Sequence, residues 1–173
     1  MGTVKWGILG AAKIAKEQVI PAMKKSKNTE LYAIASRDIS KAEDFCHKFA
    51  ITKAYDDYNK LISDPNIDAV YIPLPNHLHV PFSINALKAG KHVLCEKPIS
   101  ITSDEIFELM QVQKETKKIV SEAFMVRFHP QWTETKKLIQ EGEIGKLNAI
   151  QGLFNYFNTC LLYTSPSPRD RTR

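Results

Sequence analysis

The chain has 173 residues, of which 43% are hydrophobic and 25% charged, and this is enough apolar material to bury a core. That argues against a disordered chain and predicts one globular domain with part of a second. The formal charge is +5, but Arg169, Asp170, Arg171 and Arg173 hold +2 of it, so residues 1–168 carry a mild +3 and no nucleic-acid partner is implied.

In chain order, apolar strand-like runs alternate with helical patterns. The pattern gives a strand at Val4–Leu9, a helix from Lys13 to about Lys25, a strand at Leu31–Ala35, a helix at Ser40–Phe49 and a short helix near Asp57–Ile62. A strand at Ala69–Ile72, a helix from about Val80 to Ala89, a strand at His92–Cys95, a helix at Ser103–Lys118 and a strand at Ile119–Ala123 follow. This alternation predicts an α/β fold with a parallel, doubly wound sheet of the Rossmann type. Ser40-Lys41-Ala42-Glu43 and Thr102-Ser103-Asp104-Glu105 both fit a helix capping box, and Ala89-Gly90 ends a helix where glycine is favoured.

The pattern changes near Phe124, so residues 1–123 read as one α/β domain and 124–159 as the truncated start of an α+β domain. In the latter a helix is expected over Gln131–Glu141 and an alternating strand over Leu147–Phe157. Residues 160–173, "CLLYTSPSPRDRTR", switch to Ser, Pro and Arg without periodicity. They resemble translated adapter sequence and are expected to be foreign to the protein, against the alternative of a genuine disordered tail. Basic clusters such as Lys24-Lys25-Ser26-Lys27 lie beside amphipathic helices without interleaved aromatics, as solvated faces do. No apolar run reaches the roughly 20 residues of a membrane span, and no signal peptide is visible. Cys46, Cys95 and Cys160 are an odd set without zinc spacing, which fits reduced thiols in the cytoplasm.

Four short stretches carry candidate chemistry. In "VKWGILGAAKIA" a strand runs into a helix through Gly10, with Ala12 and Ala15 where a G-x-G-x-x-G fingerprint has its other glycines. Gly10, Ala11, Ala12, Lys13 and Ile14 are therefore candidates to hold a pyrophosphate at a helix N-terminus, against the alternative of an ordinary strand-helix turn. In "YAIASRD" the position that reads the adenosine ribose is occupied by Ser36-Arg37, with Lys41 one helical turn on. A hydroxyl beside two cations suits a 2'-phosphate, which favours NADP(H) over NAD(H), although Asp38 keeps NAD(H) open.

"YIPLPNHLH" places Pro73, Leu74 and Pro75 in a stiff loop at the carboxyl end of a strand, with Asn76 and His79 as polar contacts for a nicotinamide. The alternative for His79 is helix capping or packing. His77-x-His79 has no third ligand nearby, so no metal is expected. In "VLCEKPIS", Lys97 is a candidate for the reacting centre with Glu96 as its partner, and Lys97-Pro98 is a candidate cis bond. An isolated Glu-Lys pair on the surface is the plain alternative.

Together these stretches resemble the glucose-fructose oxidoreductase, inositol dehydrogenase and MocA family, from about Val4 to Asn158. The Glu96-Lys97-Pro98 triplet, Pro75-Asn76-His77-Leu78-His79 and "EAFMVRFHP" from Glu122 to Pro130 carry the resemblance. "WGILGAAKIA" is similar to the dihydrodiol dehydrogenase branch. The resemblance implies hydride transfer between NAD(P) and a sugar, polyol or diol, with Lys97 beside nicotinamide and substrate. It also implies that Asn76 and His79 line the cofactor, that Arg127 approaches the nicotinamide end, and that the parent protein pairs into a homo-oligomer through a downstream sheet. On that reading the chain is a cofactor-binding half without robust turnover. A non-catalytic NAD(P)-sensing regulator on the same fold is the alternative.

Overall fold

The computed structural model describes residues 2–153. They divide into two compact units, with the boundary between Met125 and Val126. The first unit is built on a six-stranded sheet whose strands are β1 (Val4–Leu9), β2 (Thr29–Ala35), β3 (Lys53–Tyr55), β4 (Ala69–Ile72), β5 (His92–Cys95) and β6 (Val120–Glu122). The spatial order is β3-β2-β1-β4-β5-β6, and every pairing is parallel. Strand order therefore reverses between β1 and β4, and the loops leaving these strands open a crevice at the carboxyl edge of the sheet.

The strand sequences are apolar on both faces because both faces are covered. On one side Ile8, Ile34 and Tyr71 pack with Ala15, Ile20, Ala42 and Phe45, which come from α1 (Ile20–Lys25), the turn before it, and α2 (Ile39–Phe49). On the other side Leu9, Val70 and Ile72 pack with Leu61, Leu87 and Leu109. These three come from α3 (Tyr58–Ile62), α4 (His79–Lys88) and α5 (Ser103–Thr116). Successive strand residues thus alternate as a period of two demands: Ile8 faces one layer and Leu9 the other.

The first helix contains a π turn, Ala15–Val19, in which the N–H of Ile20 donates to the carbonyl of Ala15. Pro21 explains it. Its ring has no N–H for the carbonyl of Glu17 and would clash with that group in a regular α turn.

Three local expectations are corrected. β3 is absent from the sequence reading, because three residues at a sheet edge show no periodicity. The capping box at Ser40 does not form: Asp38 caps α2 and accepts from Ser40 N, whereas the Thr102–Glu105 box is complete. The strand expected over Leu147–Phe157 is not formed over residues 147–153, which have no pairing partner among the described residues; 154–157 lie outside them. The stretch 160–173 also lies outside the described residues. In the second unit, α6 (Pro130–Gln140) starts with Pro at its first turn, and His129 accepts from Gln131 N as its cap. Among the described residues no helix is long and apolar enough to cross a membrane.

Candidate functional site

The site begins at the end of β1. Gly10 has φ +112°, a conformation that L side chains rarely adopt, and a Cβ there would lie 3.1 Å from Leu74 Cδ2. Its N–H donates to Ala35 O at 2.8 Å, which fixes the turn to the end of β2. Ala11 and Ala12 are half-buried, and Lys13 and Ile14 are exposed. Lys16 N is bonded to Ala12 O at 3.1 Å, so the N–H groups just before it have no intrahelical acceptor and remain available to an anion. Ala15 is fully buried against the sheet, where a larger side chain would push the helix away.

Ser36, Arg37, Asp38 and Lys41 line one open cleft together with Gly10, Ala11, Ala12 and Tyr58. Ser36 is buried; its N–H donates to Tyr55 O and its Oγ accepts from Asp38 N at 3.2 Å. The Asp38 carboxylate is engaged by its own helix, accepting from Ser40 Oγ at 2.6 Å and Ser40 N at 3.2 Å, with Lys41 Nζ at 3.5 Å. The hydrogen bond from the Ser40 side chain, with the Lys41 charge, holds the Asp38 carboxyl below its ordinary range. Arg37 is exposed and has no ion pair among the described residues.

At the centre of the crevice, Pro73 and Leu74 are buried while Pro75 and Asn76 are exposed. Leu78 N donates to Pro75 O across a 3-10 turn at Asn76–Leu78. His77 is exposed and His79 is 1% exposed, so the two rings do not converge. The expectation of His79 as a polar contact for the nicotinamide is corrected. Its ring turns inward, with Nδ1 2.7 Å from Pro98 O and Nε2 2.7 Å from Leu74 O, and it presents no free nitrogen to the cleft.

The neighbouring turn after β5 contains the expected cis bond, Lys97-Pro98. Glu96 does not pair with the Lys97 ammonium as expected. Its carboxylate accepts from Tyr71 Oη at 2.6 Å and from the Lys97 main-chain N–H at 3.3 Å, so it holds the backbone of the turn. Burial, with the bond to Glu96, pushes the Tyr71 phenol up and keeps it a donor. Ile99 N is bound by Glu122 Oε1 at 3.0 Å from the end of β6, and Ala123 N donates to Cys95 O at 2.7 Å. Burial pushes the Cys95 thiol up to about 12, which makes it a packing residue and no nucleophile. Lys97 itself is exposed, with no ion pair among the described residues. Arg127 lies in the turn Met125–Phe128 and belongs to the second unit.

Sequence reasoning misses Tyr58, Tyr71 and Glu122. Tyr71 reads locally only as a strand residue; its hydroxyl reaches a loop twenty-five residues away, a relation that no local pattern encodes.

A parallel sheet with a reversal point, a glycine turn opening a helix, and polar loops converging on one edge define a dinucleotide-binding fold. The comparisons agree: residues 4–124 match the family model described as "Oxidoreductase family, NAD-binding Rossmann fold". The chain belongs to that family of glucose-fructose oxidoreductase, inositol dehydrogenase and MocA proteins. It is 47% identical over 158 residues to an uncharacterized oxidoreductase, ORF334, of Rhizobium meliloti, covering 91% of this chain and 47% of that protein. It is 40% identical to D-xylose 1-dehydrogenase (NADP(+)) 2 of Haloferax volcanii, over 87% of this chain and 46% of that one. Among solved structures it is similar to KijD10, a 3-ketoreductase from Actinomadura kijaniata in complex with NADP. The TM-score is 0.77 at 36% identity, over 84% of this chain and 46% of that chain. The chain spans about half the length of the curated relatives it matches.

Proposed function

We propose that this chain is the cofactor-binding half of an oxidoreductase that transfers hydride between a nicotinamide and a carbinol carbon of a sugar, polyol or diol, with NADP(H) preferred. The observation that carries this reading is that one sheet edge holds both the Gly10 turn and the Lys97 turn, the first suited to a pyrophosphate and the second to a reacting oxygen.

The residues fit such a cofactor. A side chain at position 10 would crowd the Gly10 turn against Leu74, and the open N–H groups beyond it suit phosphate oxygens. Ser36, Arg37 and Lys41 offer a hydroxyl and two cations to a 2'-phosphate, while Asp38, which lines the same cleft, is engaged with Ser40 and Lys41. That arrangement supports NADP(H), as do the relatives whose names carry NADP. Asn76 stands exposed at the loop assigned to the nicotinamide end.

When bound, the nicotinamide supplies or accepts the hydride. Lys97 Nζ then stabilises charge on the substrate oxygen and exchanges its proton, a role worth roughly 10²–10⁴ in rate for a positioned acid or base. Glu96 keeps the Lys97 backbone in place through its bond to the main-chain N–H. By itself the chain binds cofactor without robust turnover, because walls that orient a substrate contribute much of such a rate.

Titration of NADPH and NADH into the 173-residue chain, followed calorimetrically, tests the reading. Saturable binding with NADPH preferred is expected; no binding of either nucleotide would overturn it.

A further inference from the structure

His79 begins α4, yet its ring is 1% exposed and points away from solvent. Nε2 lies 2.7 Å from the carbonyl oxygen of Leu74, in the loop after β4, and Nδ1 lies 2.7 Å from that of Pro98, in the turn after β5. Both partners are carbonyls, which only accept. A neutral imidazole has one N–H and one lone pair, so it could satisfy one of them and would press a lone pair against the other. The ring is 1% exposed, which sets it apart from bulk solvent. The arrangement is satisfied only when both ring nitrogens donate.

The ring also reaches further than its two bonds. Leu74, whose carbonyl it holds, has the side chain that lies under the Gly10 turn, where an added Cβ would meet it at 3.1 Å. Pro98, on the other side, follows Lys97 directly. One imidazole therefore ties the β1 turn, the β4 loop and the β5 turn into a fixed register.

Charge in the surroundings bears on this ring in both directions. The N-terminus of α4 contributes a positive dipole end that opposes a cationic ring. The carboxylates of the adjoining turn, Glu96 and Glu122, favour it but are themselves bound to Tyr71, Lys97 N and Ile99 N. Lys97 is exposed at the same turn and Cys95 is a buried thiol behind it. The two carbonyl oxygens are the direct partners of the ring.

We propose that His79 is a positioning residue, a buried two-donor clasp between Leu74 O and Pro98 O that sets where Lys97 stands relative to the turn at Gly10. Its consequence for catalysis rests on the reading of Lys97 given above; the clasp itself does not.

Long-range proton-nitrogen correlation on the uniformly labelled 173-residue chain at neutral pH tests the clasp directly. Protons on both Nδ1 and Nε2 of His79 are expected, and a neutral ring with one bare nitrogen overturns the proposal. The positioning role is read from the Lys97 side-chain methylene signal in His79→Gln and His79→Asn, the second variant guarding against a fold lost in the first. That signal should shift while those of Lys53 and Lys91, in a separate network, stay in place; an unmoved Lys97 signal in either folded variant overturns it. NADPH affinity should fall about fivefold, the size of one lost hydrogen bond. If the wild type fails to bind NADPH while both ring protons are seen, the cofactor reading falls and the clasp stands.

Discussion

The hydroxyl of Tyr71, fully buried in β4, donates to Glu96 Oε1 at 2.6 Å, and the other oxygen of Glu96 accepts from the Lys97 main-chain N–H. A core tyrosine thereby supports the turn that presents Lys97. Tyr71→Phe removes the donor and leaves a half-buried carboxylate oxygen unpaired, at a cost of about 1–2 kcal/mol. Urea unfolding should report that loss, and an unchanged midpoint would show that the bond contributes nothing.

Arg37→Ala should weaken NADPH by about 10–100-fold, as expected for a charge-assisted bond of about 1.5–3 kcal/mol, and leave NADH nearly unaffected. Only NADPH carries the phosphate that Arg37 is proposed to meet. Equal losses for both nucleotides in a calorimetric titration would remove the basis for the preference.

Polyols, aldoses and aryl diols should give no robust turnover with the 173-residue chain, even at saturating NADP⁺. The assay is the change in absorbance of the reduced nicotinamide. Clear turnover that disappears in Lys97→Ala would place the substrate walls inside this chain.

Beside β3, Asp64 accepts from Lys53 Nζ at 3.0 Å, from Tyr55 Oη, and from Asn66, and its carbonyl accepts from the buried Lys91 at 2.7 Å. Burial alone would raise the Asp64 carboxyl, but the bonds from Tyr55, Asn66 and Lys53 outweigh it and hold the group well below its ordinary 3.8. Because the folded value is depressed, the contribution to stability is complete above that ordinary value and is lost as pH falls toward the folded one. Asp64→Ala should cost about 2–3 kcal/mol near neutral pH. Thermal melts from about pH 7 downward should show the gap between wild type and variant narrowing only below about pH 4; a constant gap would refute the assignment.

The second unit exposes Phe128 at 76%, Ile150 at 78% and Leu153 at 89%. Apolar surface of this kind drives association. Light scattering at matched concentration should find the 173-residue chain self-associating and residues 1–123 less so. A monomeric whole chain beside an aggregating 1–123 would mean that the segment after Phe124 completes the first domain.

Where strands are long and buried on both faces, as at Val4–Leu9, composition alone marks them, and the order of the sheet follows from their alternation with helices. β3 escapes because its three residues are defined by pairing with β2, which is a tertiary fact. Glu96, Lys97 and Pro98 are legible as a turn, but the direction of the Glu96 carboxylate is not, since its partner Tyr71 is brought there by sheet register. His79 is legible as a special residue but not in its orientation: sequence spacing does not reveal which side of the first turn of α4 faces the core. Ser40 and Asp38 compete for one cap, and the residue two positions earlier wins because its carboxylate reaches both the N–H and the hydroxyl of Ser40.

The π turn at Ala15–Val19 separates two quantities that a helix normally couples, its length and the side it turns inward. In a regular α-helix residues five apart differ by about 140° in direction, so Ala15 and Ile20 could not both face the sheet. Here both are 0% exposed. The extra residue works as a gear tooth, advancing the chain by one position without rotating what it buries. A deletion of Gln18 combined with Pro21→Ala would give an ordinary helix in which the same alanine and isoleucine stand four apart, still on one side. Homologous chains could therefore differ by one residue in this helix and keep the same packing against β1 and β2, so a gap placed here in a comparison of sequences marks a change of winding and no change of core.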